Sequence, residues 1–203
     1  MMDYQQLKKV YNIRLPILKE IADKLEIDLK KYLSDFSRID KINTRVKDID
    51  RFINKSKKID NNGNIKYKDP LIEIQDQVGA RIITYYLNDV EKIAKMINDY
   101  YSPIEEEMKQ PKVYSEFSYV GKHFILFIPD ELILPEYKGN YPLFFELQIK
   151  TLFQHAWAEA EHDINYKSRG DISFEDKRLV AFSAAQAWGA DKVFNELFIK
   201  YNN

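Results

Sequence analysis

The chain has 203 residues, room for one full hydrophobic core or two small ones. It contains no cysteine, which excludes disulfides, thiolate metal sites and a cysteine nucleophile. No secretory h-region and no apolar run of about 18 residues is present, so neither a classical signal nor a spanning helix is expected, and the expected compartment is the cytoplasm. The formal net charge of −1 is unevenly spread: residues 1–68 hold 17 Lys and Arg against 10 Asp and Glu, whereas residues 69–203 hold 14 against 22. A basic first third points to a local anion site rather than a surface that coats nucleic acid, although a solvated helix face explains it equally well.

Along the chain, residues 3–35 carry Leu7, Val10, Leu15, Leu18, Ile21, Leu25, Leu29 and Leu33 at helical spacing. Pro16 is expected to separate two helices or kink one. Residues 47–58 read as a short helix that stops before the turn Asp60-Asn61-Asn62-Gly63-Asn64. Residues 78–86 (VGARIITYY) are β-branched and aromatic and predict a buried strand. Residues 89–100 return to helical spacing. The stretches 112–119, 122–128 and 142–150 predict three strands, 151–164 a helix, and 174–199 a last helix capped by Ser173 with Asp176 three residues on. The order predicts an α+β fold, one mixed sheet covered by helices, as a single domain over 1–203: N-terminal helices over 1–40, a core over 41–167 and a C-terminal helix over 171–203.

Common nucleotide motifs are absent. Gly121-Lys122 is not a P-loop, because Glu116 stands at the first glycine position and His123 where Ser or Thr is needed. There is no GxGxxG and no GxSxG elbow. Strand alternation places Phe145, Leu147 and Ile149 on one face and Glu146, Gln148 and Lys150 on the other. Asp76 precedes a glycine and an apolar strand. Asp76 and Glu146 lie on predicted strand edges where they can meet, and paired carboxylates suit Mg²⁺ bridging to phosphates. Arg45, Lys47, Lys55 and Arg81 supply charge to neutralise a triphosphate. His155, Glu159 and His162 share a helix face; zinc ligation is one reading of that spacing, but HExxH is absent and a polar face looking into a cleft explains it as well.

Together these pieces resemble the synthetase domain of the RelA/SpoT-like alarmone synthetases, especially the small single-domain members, over about residues 40–167. Arg45-Val46-Lys47 resembles the family's RxK motif, with Lys55 at the spacing of its following Lys, and Asp76-Gln77-Val78-Gly79-Ala80-Arg81 fits DxxGxR. Pro111-Lys112 through Tyr119 and His123 resembles the guanine-binding loop, and Glu146 to Thr151 resembles ExQxRT. The segment Gln154 to Asp163, followed by Tyr166-Lys167, is similar to the family's helix.

The resemblance implies a nucleotidyltransferase-like fold, Mg²⁺ dependence and transfer of the β,γ-diphosphate of ATP to the 3′-hydroxyl of GDP or GTP, giving (p)ppGpp. It implies that Asp76 holds Mg²⁺ and that Glu146 assists the metal or acts as base. Arg45, Lys47, Lys55 and Arg81 would hold ATP, and Lys112, Tyr119, His123 and Gln148 the acceptor, with Tyr119 stacked on its base. Lys150, His155 and Glu159 would complete the site. The sequence departs from the pattern at Ser118, Gly121 and Lys150, where Gly, Ser and Arg are usual. Those departures leave the acceptor open: relatives include toxins that modify adenine nucleotides or the 3′ end of tRNA, and the basic segment 38–68 suits RNA as well as ATP. An inactive nucleotide-binding module is a further reading, against which the two carboxylates speak. ATP and GDP or GTP are the expected partners, tRNA is the alternative, self-association is open, and no membrane partner is expected.

Overall fold

A computed structural model describes residues 3–202 except 102, 138, 140 and 168–171, and the side chains of Tyr166 and Lys167 also lie outside the described residues. The limit expected at 171 and the Tyr166-Lys167 part of the helix motif therefore fall outside it. Besides three short 3-10 turns, the described elements are α1 (Tyr4–Tyr32), β1 (Ile39–Val46), α2 (Ile49–Ser56), α3 (Pro70–Glu73), β2 (Val78–Thr84), α4 (Leu87–Tyr101), β3 (Glu105–Lys109), β4 (Gly121–Phe127), β5 (Phe144–Thr151), α5 (Leu152–Lys167) and α6 (Phe174–Asn202).

The five strands form one mixed sheet in the order β1-β2-β5-β4-β3. Only β2 and β5 run parallel; the other three pairings are antiparallel. The α+β expectation holds. One sheet face is apolar. Ala80, Ile82, Leu147, Ile149 and Phe124 are buried there with Leu18, Ile21, Leu25 and Leu29 of α1 and Ile93 and Ile97 of α4. Burying a side chain of this size gains roughly 1.5–3 kcal/mol, so this face fixes the register of every strand.

The opposite face follows from that register. Asn43, Arg81, Gln148, His123 and Glu107 stand in one row across the sheet, and Arg45, Gly79, Glu146, Ile125 and Glu105 in the next. The polar residues of five sequence-distant segments are thereby brought onto one surface.

Three expectations are corrected. Pro16 lies within α1 and does not break it. Leu7 and Tyr11 before it and Leu18 and Ile21 after it are all buried in the same core, so tertiary packing offsets the lost hydrogen bond, worth about 3 kcal/mol in an isolated helix. The stretch 112–119 is a loop, because the β3–β4 ladder ends at Lys109 opposite Gly121 and leaves Val113, Tyr114 and Phe117 exposed without a strand partner. In its place β3 is Glu105–Lys109, an edge strand whose run of glutamates carries no period-2 apolar signal. The sheet also contains β1, for which no strand was expected. The Ser173 cap is present: the Asp176 amide donates to Ser173 Oγ at 3.1 Å.

Candidate active site

Asp76 sits in a single 3-10 turn directly before β2. The Lys47 amide donates to the Gln77 carbonyl at 2.8 Å, fixing the end of β1 against this turn. Lys47 Nζ then lies 2.8 Å from Asp76 Oδ2, and Lys55 Nζ, one side of α2, lies 3.0 Å from Oδ1. Helix α2 is aimed by its own cap, the Asp48 side chain accepting from the Asp50 and Arg51 amides. Asp76 Oδ1 is buried, and although Lys55 is near it accepts no hydrogen bond. A buried carboxylate oxygen between two cations without an aligned donor suits a divalent cation, whose bonds to oxygen need no donor geometry.

Glu146 lies on the same face, in the row of Arg45 and Gly79. Its Oε1 is 3.0 Å from His123 Nδ1, and its Oε2 accepts from Gln148 Nε2 at 3.0 Å. Burial alone raises its pKa, but the bond and charge of His123, the Gln148 amide and the charge of Lys55 override that and hold the carboxyl at about 2. His123 Nε2 lies 2.6 Å from the Tyr119 hydroxyl. The carboxylate can only accept, so His123 Nδ1–H donates to it, while Nε2 faces the Tyr119 hydroxyl. Burial and the Glu146 charge push the Tyr119 phenol up, so it stays a donor.

Asn43, Arg45, Arg81, Glu146, Gln148 and Glu159 line a cleft of about 200 Å³. Arg81 Nη1 donates to Glu159 Oε1 at 2.7 Å and lies 3.4 Å from His155 Nδ1. Burial and the Arg81 guanidinium push the His155 imidazole down. Lys150, also on this face, is only 3 % exposed. Its ammonium sits 4.4 Å from the Tyr119 ring centroid, and burial followed by the Arg81 charge lowers it to about 7.

Of the thirteen residues singled out in the sequence, twelve gather here and Lys112 does not; it is exposed on the 110–120 loop. Among the described residues no group of three His, Cys, Asp or Glu side chains is placed to hold a metal by itself, so the zinc reading of the α5 face is not realised. Asn43 was missed by sequence reasoning, because β1 was not recognised and its alternation with Arg45 could not be used. No helix of the described residues is long and apolar enough to cross a membrane.

Asp76 paired with two lysines, and Glu146 tied to the His123–Tyr119 couple, give the site both signs of charge beside an aromatic ring. The family described as the region found in RelA / SpoT proteins matches residues 44–171, and the chain belongs to that family. Among curated relatives, GTP pyrophosphokinase YjbM of Bacillus subtilis (strain 168) is 25% identical over 191 residues, covering 88% of this chain and 84% of that protein. The crystal structure of small alarmone synthetase 1 from Bacillus subtilis has a TM-score of 0.78 at 22% identity, covering 95% of this chain and 97% of that one. The same synthetase bound to its product pppGpp has a TM-score of 0.76 at 21% identity, covering 96% of this chain and all of the other.

Proposed function

We propose that the protein transfers the β,γ-diphosphate of ATP to the 3′-hydroxyl of GDP or GTP, making (p)ppGpp in the cytoplasm. The observation that carries this reading is Asp76, paired with Lys47 and Lys55 in the turn before β2, with a buried Oδ1 that accepts no hydrogen bond. The family membership and the likeness to a GTP pyrophosphokinase support it. Asp76 and Glu146 would hold Mg²⁺ together with substrate phosphates. When bound, the ion supplies charge neutralisation on the migrating diphosphate.

The rest of the work falls to side chains. Arg45 and Arg81 flank the cleft and bind ATP, and Lys47 and Lys55 neutralise its phosphates. Tyr119 offers a ring for the acceptor base, while His123 and Gln148 hold Glu146 in position from either side. A carboxyl held at about 2 is ionised throughout the working range. It is a weak base toward a ribose hydroxyl in the ground state. Glu146 therefore accepts the hydroxyl hydrogen bond and takes the proton late, as the new O–P bond forms, which suits a loose phosphoryl-transfer transition state. Most of the rate gain then comes from alignment and charge.

The test is incubation with γ-labelled ATP, Mg²⁺ and, in separate reactions, GDP, GTP, ATP and total tRNA. Label on a guanine nucleotide is the expected result. Label on tRNA alone assigns the protein to the RNA-modifying branch, and no labelled product with any acceptor makes it a binding module.

A further inference from the structure

Among the described residues two buried carboxylate oxygens accept no hydrogen bond, Asp191 Oδ1 and Asp76 Oδ1. At Asp191 burial outweighs the bond from Thr151 and pushes the carboxyl up to about 6. Asp76 stands instead between the ammonium groups of Lys47 and Lys55. A lysine ammonium swings on a flexible four-carbon stem, so its place at Asp76 depends on how firmly the backbone beneath it is held.

Lys47 follows β1 directly. Its amide donates to the Gln77 carbonyl at 2.8 Å, in the turn that carries Asp76. Its own carbonyl accepts from the Tyr11 hydroxyl at 2.9 Å, 36 residues away in the sequence. Tyr11 is fully buried on α1. Its ring stacks on Phe52 of α2 with centroids 3.8 Å apart, and Phe52 precedes Lys55 by one helical turn. Burial, followed by the Asp76 charge, pushes the Tyr11 phenol up, so the hydroxyl stays a donor.

The Asp76 arm is held from the same helix face, since Arg14 lies three residues on from Tyr11. Arg14 Nη1 donates to the Leu71 carbonyl at 2.9 Å. The buried Gln77 side chain donates to the Leu71 and Ile74 carbonyls at 3.0 and 2.9 Å. The turn that carries Asp76 is thus tied down on its own side, and freedom gained by Lys47 would not be followed by Asp76. Packing does not explain the Tyr11 hydroxyl. A phenylalanine would fill the same space and stack on Phe52, and it would need no buried partner for a polar group.

We propose that Tyr11 is a positioning residue of the donor site: its hydroxyl holds the Lys47 carbonyl and so sets the Lys47 ammonium where it meets Asp76 and the triphosphate. The proposal rests on the reading of Lys47 as an ATP ligand.

The test is a double-mutant cycle read by calorimetric binding of the α,β-methylene analogue of ATP with Mg²⁺, which needs no turnover. Tyr11→Phe deletes the hydroxyl and keeps the ring, so its melting temperature should stay close to that of the parent. It is expected to weaken the analogue about fivefold in the parent chain and less than about twofold in a Lys47→Met background, where no ammonium is left to misplace. Ile21→Val, a core change on the same helix, controls for lost stability and should leave affinity unchanged in both backgrounds. In turnover, Tyr11→Phe should lower kcat and leave the KM for GDP unchanged. Equal losses in the two backgrounds, no loss in the parent chain, or a loss of the same size from Ile21→Val overturns the positioning role. A Tyr11→Phe chain that melts far below the parent also overturns it, by showing that the hydroxyl holds the fold rather than the lysine. Binding that is as tight in Lys47→Met alone as in the parent overturns the ATP reading of Lys47 itself, a result that appears without any change at Tyr11.

Discussion

Alanine at position 121 would bring a Cβ to 2.7 Å from the Tyr119 hydroxyl, 3.2 Å from its Cζ and 3.4 Å from Lys150 Cε. The first distance is shorter than real contacts allow, so the ring must retreat. Gly121 is not among the glycines with positive φ, so alanine fits the strand itself. The atoms in the way belong to the end of one side chain, not to the backbone. The retreat breaks the 2.6 Å bond from Tyr119 to His123, which is worth about 1 kcal/mol, and loosens the contact with the Lys150 ammonium, worth about as much again. A stacked base contributes about 1–3 kcal/mol. Losing 1–2 kcal/mol of that by misplacing the ring raises the acceptor KM about 5- to 30-fold. On the proposed function the KM for ATP is expected to hold, since the atoms nearest the new Cβ belong to Tyr119 and Lys150 and none to Arg45, Lys47, Lys55 or Arg81. The assay is initial rate with GDP varied at saturating ATP, then the reverse, beside a thermal melt. An equal rise in both KM values, or a KM for GDP left unchanged, refutes the placement of the acceptor on Tyr119.

Asp76→Asn is expected to lower transfer about a hundredfold or more, because several kcal/mol of charge stabilisation depend on a bound cation; circular dichroism and melting should be unchanged, and full activity with normal Mg²⁺ dependence sinks the role. Glu146→Gln is nearly isosteric and should remove activity while ATP titrations stay normal; a sharp fall in melting temperature instead makes Glu146 structural. Asp191→Asn should alter stability against pH. The folded chain holds that proton up to about 6, against an ordinary value of 3.8, so the group's stabilisation is full below about pH 4 and lost as pH rises through 6, a loss of about 3 kcal/mol. The variant should be flatter across that window and more stable at pH 8 in chemical denaturation, and an unchanged slope counts against the burial argument. Lys150→Met should remove a pH effect on acceptor KM near 7: in the parent the ammonium over Tyr119 is present below that pH and lost above it, so its KM should climb with pH while that of the variant stays level.

Much of the sheet was legible because its central strands are buried. Residues 78–86 and 142–150 read as strands since Ile82, Ile83, Leu147 and Ile149 are core residues and carry a dense β-branched and aliphatic signal. The edges were not legible for the same physical reason. In β1 the residues facing the open side are Lys41, Asn43 and Arg45, and in β3 they are glutamates, so neither strand shows a full alternation. Conversely Val113-Tyr114-Ser115-Glu116-Phe117 has strand composition without a ladder to join. Strand propensity describes a side chain's fitness for a pleated surface, and it cannot say whether a partner strand is present. The carboxylates and cations were found by motif order, whereas the Tyr119–His123–Glu146–Gln148 chain needed the register between β4 and β5.

That register has a consequence for how the protein is made and how it changes. β5 is the last strand in the sequence but the middle one in the sheet, parallel to β2 on one side and antiparallel to β4 on the other. Until it is inserted, the chain consists of two separate antiparallel pairs, β1–β2 and β3–β4. The first carries or abuts Arg45, Lys47, Lys55, Asp76 and Arg81; the second carries His123 and the loop with Tyr119. On the proposed function, donor and acceptor recognition are built on separate halves, with Glu146 and Gln148 as the seam on which they close. A chain that stops short of β5 would then lack the reaction centre. Of the departures, Ser118 and Gly121 sit in the second pair and Lys150 on the seam, so on the proposed function the choice of acceptor can drift while the donor half stays fixed.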